Sequence, residues 1–408
     1  MKSLHRDFFA CIKAALTGEA ASLAREMPIA EMYALAKAHQ IVPLVYQGLY
    51  LSETDLSAAE EMRMKTLKLA MGDQLQCSAL SAITEAFSQN GIDHMPLKGS
   101  AIKNLYPSSE MRLMSDLDIL IREEQYGQIK PIMLSLGFTE GVESDHELIW
   151  HKKPNICVEL HKRLIPSYND DYYEYYKDPW GKAVPGTAPF SYTMRREDEY
   201  LYIFTHLTKH YRDGGIGVKH LVDLWRYADR YADMDREYIG EELDKLCLRA
   251  FHENIVATLA VWFEHAAPTE ITEHITERIV ESGAYGLQDK KDTAAAAKTS
   301  AREVSVGAAK RKKILQYLFL PIGEMKKRYP VLTKAPFLLP IFWVVRWITA
   351  VFGRRDKIRA IAAEIDRLDG STVDGYNREL AMVGLTYDLK SGSAAADNKG
   401  KGGRNRDS

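Results

Sequence analysis

Residues 95–121, MPLKGSAIKNLYPSSEMRLMSDLDILI, hold the side chains of this chain best suited to chemistry. Asp116 and Asp118 stand one residue apart in the run 113–121, which reads as a β-strand. Side chains alternate faces along a strand, so both carboxylates leave one face while Leu117 and Ile119 leave the other. Two carboxylates at close quarters repel and raise each other's pKa unless a cation lies between them. Mg²⁺ is the natural cation, being hard, oxygen-seeking and commonly shared with substrate phosphates. Just upstream, Lys98-Gly99-Ser100 makes a small-residue turn between an apolar run and a helix-like segment over 100–105.

A small-residue turn, a helix and then a D-x-D strand resemble the catalytic core of the DNA polymerase beta-type nucleotidyltransferase superfamily. The finer wording resembles its bacterial "uncharacterised nucleotidyltransferase" branch, found beside polysaccharide and peptide-product gene clusters. Leu97, Lys98, Gly99, Ala101, Tyr106, Pro107, Arg112, Ser115, Asp116 and Asp118 carry that pattern. A D-x-D pair alone is common in surface strands; the combined string is far more specific. The resemblance runs to about Tyr231 and returns faintly at Lys326-Lys327-Arg328-Tyr329-Pro330.

The resemblance implies Mg²⁺-dependent transfer of a nucleoside monophosphate from a triphosphate, ATP being the first candidate, to an unidentified acceptor. In-line transfer uses two metal ions and a third carboxylate on a neighbouring strand. Glu159, in Val158-Glu159-Leu160-His161, is the candidate, with His161 on its face. The branch commonly has V-D-L-H here, so Glu159 is a departure by one methylene. The implied metal and catalytic set is therefore Asp116, Asp118 and Glu159. The implied nucleotide-binding set is Lys98, Gly99, Ser100, Arg112, His206 and His210. Gly99-Ser100 matches the superfamily's G-[GS] turn, where backbone approaches phosphate closely. Lys98 and Arg112 would neutralise triphosphate charge, whereas Lys103 reads as a surface cation. His206 and His210 share a helix face at i, i+4 spacing suited to zinc, but the glutamate of H-E-x-x-H is missing. They read either as cleft residues touching substrate or as buried structural histidines.

These residues need a scaffold, and the spacing predicts an α+β one. A small mixed sheet, with strands near 93–97, 113–121, 147–152 and 155–161, sits between an N-terminal helical segment and a C-terminal helical domain. The expected organisation is an N-terminal helical segment 1–77, a nucleotidyltransferase core 78–192, a helical domain 193–285, a linker 286–308, a helical or apolar segment 309–390 and a disordered tail 391–408. Residues 1–16 read as an amphipathic helix and not a signal peptide. A long helix follows, with Leu67, Met71, Leu75, Leu80, Ile83 and Phe87 as its seam. Glu123 to Leu136 reads as a helix ending at Gly137, and 168–192 as irregular connection.

With 408 residues and 46% apolar composition, the chain can build a proper core. A net charge of −2 speaks against a surface built throughout for nucleic acid, so nucleic acid is not indicated as a partner. Four scattered cysteines fit reduced thiols in the cytoplasm. Residues 335–352 are strongly apolar but interrupted by Pro336, Pro340 and Arg346, and are too short to span a bilayer. They read as a buried helix, with a helix peripheral to the inner membrane as the alternative. Two other readings stand beside the enzyme. One is a catalytically silent nucleotide-binding regulatory module, and the other a peripheral membrane adaptor, in an envelope-polysaccharide system.

Overall fold

Apolar residues at every second position make the sheet and turn one face of it to the core. In the computed structural model the strands are β1 (His94–Pro96), β2 (Leu117–Ile121), β3 (Thr139–Glu143), β4 (Glu147–Lys152) and β5 (Ile156–His161). They pair in the order β1-β2-β5-β4-β3. β2 and β5 are parallel and the other pairs antiparallel, so the sheet is mixed. Leu117, Ile119 and Ile121 share one buried cluster with Val158, Leu160 and Trp150, which leaves Asp118, Glu159 and His161 on the opposite face.

The structure describes residues 2–387, apart from 25, 168, 170, 285, 288–289, 292, 296, 299–314, 316–317 and 354–369. The tail expected over 391–408 and most of the expected 286–308 linker lie outside the described residues. The chain divides into two compact units, Met1–Tyr211 with Gly215–Gly286, and Arg212–Gly214 with Leu287–Ser408. Besides the sheet, the first unit holds α1 (Ser3–Thr17), α2 (Ile29–Ala38), α3 (Val42–Leu51), α4 (Glu60–Gln89), α5 (Gly99–Ile102), α6 (Tyr126–Ser135) and α7 (Tyr173–Tyr176). It continues with a hairpin of β6 (Ala183–Pro185) and β7 (Tyr192–Met194), then α8 (Arg196–Arg212), α9 (Val218–Arg230), α10 (Arg236–Lys245), α11 (Arg249–Phe263) and α12 (Glu270–Ser282).

Four expectations change. The D-x-D strand starts only at Leu117, because side chains take the preceding carbonyls: Gln76 donates to Met114 O (3.2 Å) and Arg112 to Leu113 O (2.6 Å). Asp116 thus precedes the strand. The α4 seam is only half a seam: Ile83 and Phe87 are in the core, whereas Leu67, Met71 and Leu75 are exposed. A 30-residue helix is roughly 45 Å long, more than the ~24 Å width of five strands can cover. Strand β3 went unread because it is an exposed edge, TEGVE, without apolar alternation. The 168–192 stretch holds α7 and one arm of the hairpin.

In the second unit, helices Ile322–Arg328, Val331–Lys334, Leu339–Gly353 and Gly370–Met382 are described. Leu339–Gly353 is not the buried helix expected, since Ile341, Val344, Val345 and Ile348 are all exposed. Among the described residues no helix is long and apolar enough to cross a membrane.

His39, fully buried at the end of α2, joins distant helices of the first unit. Its Nδ1 accepts the Val218 N–H (3.3 Å) and its Nε2 donates to the Val280 carbonyl (3.2 Å), which requires the neutral ring. Burial holds its pKa down at about 4. As pH falls from the ordinary imidazole range toward that value, the unfolded chain binds a proton that the folded chain refuses. Stability present above that range is therefore lost on acidification, by up to about 1.4 kcal/mol per pH unit. Urea melts across this window should show His39→Gln, which cannot titrate, with a shallower pH slope than the wild type. An identical slope would assign the proton uptake to other groups.

Candidate functional site

Parallel pairing of β2 with β5 sets Asp118 directly opposite Glu159, on the face turned away from the core. Neighbouring strands lie only about 4.8 Å apart, so the two carboxylates are forced together. His161, two residues on, brings its Nε2 to 2.7 Å from Asp118 Oδ1 and 3.5 Å from Glu159 Oε2. Among the described residues, Asp118, Glu159 and His161 form the one group of three whose ligand atoms lie within 4.8 Å of one another. Lys98 reaches across from the end of β1, its Nζ 2.6 Å from Asp118 Oδ1.

The electrostatics follow from this crowding. Burial alone would push the Asp118 carboxyl up, but the Lys98 ammonium and His161 more than reverse it, leaving Asp118 well below the usual carboxylate range. The hydrogen bond from His161 holds Glu159 below its ordinary value. Asp116 is not in that group of three, and Lys98 and Lys219 only partly offset burial and then the charges of Asp118 and Glu159, which push it up to about 6. Burial and Lys98 pull His161 down, yet its bonds to Asp118 and Glu159 leave it raised overall.

The turn that delivers Lys98 is strained. Lys98 has φ 48° and ψ −124°, a conformation costing a side-chain-bearing residue about 1–3 kcal/mol. Gly99 follows because there is little room: a Cβ there would stand 3.2 Å from Met114 Cγ and 3.4 Å from Arg112 Nη1. Ser100 is buried, its Oγ 3.9 Å from Met114 Sδ.

Other candidates end up elsewhere. Arg112 is not a free cation for phosphate. It is buried in a two-pronged pair with Asp223 of α9, Nε to Oδ1 at 2.6 Å and Nη2 to Oδ2 at 2.8 Å, and Tyr106 donates to the same carboxylate at 2.8 Å. Lys103 is not a surface cation; it is buried against Asp73, which also accepts from Ser109 (2.6 Å). His206 and His210 face each other on α8 at 4.5 Å between ring centroids, and His220 of α9 closes the group at 6.0 and 6.1 Å. Burial, with neighbouring imidazoles and Lys98, keeps His206 far below the ordinary histidine value. A neutral ring of this kind offers a hydrogen bond or an aromatic face rather than charge.

Two participants lie in Lys219-His220-Leu221-Val222-Asp223-Leu224, a segment that shares the family resemblance but to which the sequence assigns no role. Asp223 anchors Arg112, and buried Lys219, one turn earlier on α9, has its pKa pulled down to about 8 by burial, then by Arg112. Their i, i+4 spacing within Lys219-His220-Leu221-Val222-Asp223 was the available signal. Beside Ser115 opens a groove of about 610 Å³, bordered by Lys65, Lys68, Leu69 and Gly72 of α4 and by Met114.

A carboxylate pair beside a lysine, on the face of a small mixed sheet turned away from the core, is compatible with phosphoryl or nucleotidyl transfer. The profile of the family described as "Uncharacterised nucleotidyltransferase" matches residues 25–264, and the chain belongs to that family; it is a nucleotidyltransferase. Among solved structures, the chain aligns with the antibiotic-resistance factor ANT(2'')-Ia in solution, at 16% identity and a TM-score of 0.32, over 48% of this chain and 100% of that one. That likeness is too distant to inform on substrate. No curated protein matches the chain.

Removing one partner of a buried ion pair strands the other charge. Asp223→Asn should therefore lower the unfolding free energy by about 3 kcal/mol or more, read by urea denaturation. A loss below about 1 kcal/mol would mean that water already screens the pair.

Proposed function

We propose that this nucleotidyltransferase moves a nucleoside monophosphate from a nucleoside triphosphate, ATP being the first to test, to an acceptor hydroxyl or amine, with Mg²⁺ as cofactor. The observation that carries the reading is the in-register opposition of Asp118 and Glu159 beside Lys98. Asp116, Asp118 and Glu159 would hold Mg²⁺. A set of carboxylate oxygens suits this ion, and the mutual repulsion felt by Asp116 is what a divalent charge relieves. When bound, the ion would neutralise charge on the transferred phosphate and align the attacking and leaving oxygens.

The chain's own groups divide the remaining work. Lys98 balances Asp118 in the free protein and stands ready to pair with an entering triphosphate. Gly99 and Ser100 let backbone come close to the phosphates. His161 fixes the Asp118 carboxylate through its hydrogen bond. Glu159, whose side chain keeps 20% of its surface exposed, faces the acceptor and takes its proton. The acceptor oxygen or nitrogen then bonds to the α-phosphorus as the bond to the bridging oxygen breaks and pyrophosphate leaves. His206, as a neutral ring, and His210 would border the nucleotide, and the groove beside Ser115 would admit the acceptor. Reduced cytoplasmic conditions fit this reading: triphosphates are abundant there, and all four cysteines are thiols.

The test uses α-phosphate-labelled triphosphates with Mg²⁺ and fractionated cell extract as acceptor source, following pyrophosphate release and label transfer. Asp118→Asn keeps side-chain size and takes the partner from Lys98 while removing the repulsion with Glu159; in protein that a thermal melt shows to be folded, transfer should fall on the order of 10²-fold or more. Ser100→Ala removes one neutral hydrogen bond and should cost about tenfold at most. Wild-type rates in folded Asp118→Asn would end the metal-site reading and favour a silent nucleotide-binding module.

A further inference from the structure

In a helix on a water-facing surface, the apolar stripe turns inward and the polar one outward. The helix Leu339–Gly353 of the second unit does the reverse. Ile341 (58% exposed), Val344 (46%) and Ile348 (53%) lie along one outward face, and Phe337, just before the helix, is 78% exposed. Its polar handles point inward: Trp343 Nε1 donates to the Leu320 carbonyl (3.0 Å), and Trp347 Nε1 to the Leu318 carbonyl (2.8 Å). Phe319 packs edge-on against both indoles. The aliphatic face is therefore held outward by specific bonds on the other side of the helix.

Length and charge say what covers that face. Fifteen residues make a helix about 22 Å long, short of the roughly 30 Å hydrocarbon core, so the helix cannot cross a bilayer but can lie along one. Residues 325–355 contain seven Lys or Arg, among them Lys326, Lys327, Arg328 and Arg346, and no Asp or Glu. A second copy would bring the same positive charge to the contact and be repelled. Anionic headgroups complement that charge, and exposed branched side chains within a basic segment suit an interfacial helix. We propose that the Leu339–Gly353 helix docks flat on an anionic lipid surface, with Phe337, Ile341, Val344 and Ile348 entering the boundary between headgroups and acyl chains. This stands independently of the transfer reaction.

Flotation of the full chain with vesicles of phosphatidylcholine alone, or of phosphatidylcholine with phosphatidylglycerol, tests it. The protein should float with the phosphatidylglycerol vesicles only, and added salt should weaken binding. Ile341→Asp with Val344→Asp should reduce binding at least about tenfold, with melting temperature and nucleotidyl transfer unchanged. The uncharged pair Ile341→Ser with Val344→Thr should show a smaller loss in the same direction, which covers the case of an ill-folded aspartate variant. Lys326→Gln should cost about fivefold. Absence of flotation with both vesicle types would overturn the proposal. So would flotation untouched by both pairs of substitutions, or a wild-type dimer that the aspartate pair dissolves while lipid binding persists.

Discussion

Two like charges on adjacent strands dominate this protein. Once β2 and β5 pair in parallel register, Asp118 and Glu159 have nowhere else to go. Left alone they would repel by several kcal/mol at low effective dielectric, so the surrounding residues are arranged to supply positive charge. Lys98 does so from a backbone conformation that residues with side chains rarely adopt, and His161 does so from the next outward position on β5. The strain at Lys98 is tolerated because relaxing that turn would withdraw the ammonium and strand a buried carboxylate.

The same need for compensation reaches outward. Asp116 feels both carboxylates, and of the cations near it, Lys98 is paired with Asp118 while Lys219 comes from α9, where Arg112 also acts on it. Arg112 is in turn held by Asp223 and Tyr106, so the lead-in to β2 is fastened to the helices by one buried polar cluster. Disturbing α9 therefore bears on Asp116 through Lys219, although α9 contributes no carboxylate to the central pair.

Much of this was legible in the sequence, for a definite reason. The outward positions of β2 and β5 alternate with large aliphatic residues, so parity alone assigns Asp118, Glu159 and His161 to a common side. Strands over 147–152 and near 155–161 were readable from the same alternation, and the helices from their apolar periodicity. What parity cannot give is adjacency. That β2 pairs with β5, and that Asp118 falls opposite Glu159, depends on a connection through β3 and β4, of which β3 has no sequence signature. The burial of Lys103 and the pairing of Arg112 are not legible in the sequence, because a lysine or arginine reads as solvent-facing until its partner is known. Their partners, Asp223 and Asp73, lie 111 and 30 residues away. The outward aliphatic face of Leu339–Gly353 was hidden for the converse reason: composition reports how apolar a helix is, not which side its tryptophans are tied to.

On the proposed reading, the crowded carboxylates are a receptor for a divalent ion and a triphosphate. A crystal structure with Mn²⁺, standing in for Mg²⁺, and a non-hydrolysable triphosphate analogue tests it most directly, since manganese scatters anomalously. Anomalous density should lie beside Asp118, Glu159 and the bound phosphates, with Lys98 moved from Asp118 onto the triphosphate. Metal and triphosphate bound away from β2 and β5, with the Lys98–Asp118 pair intact, would contradict it.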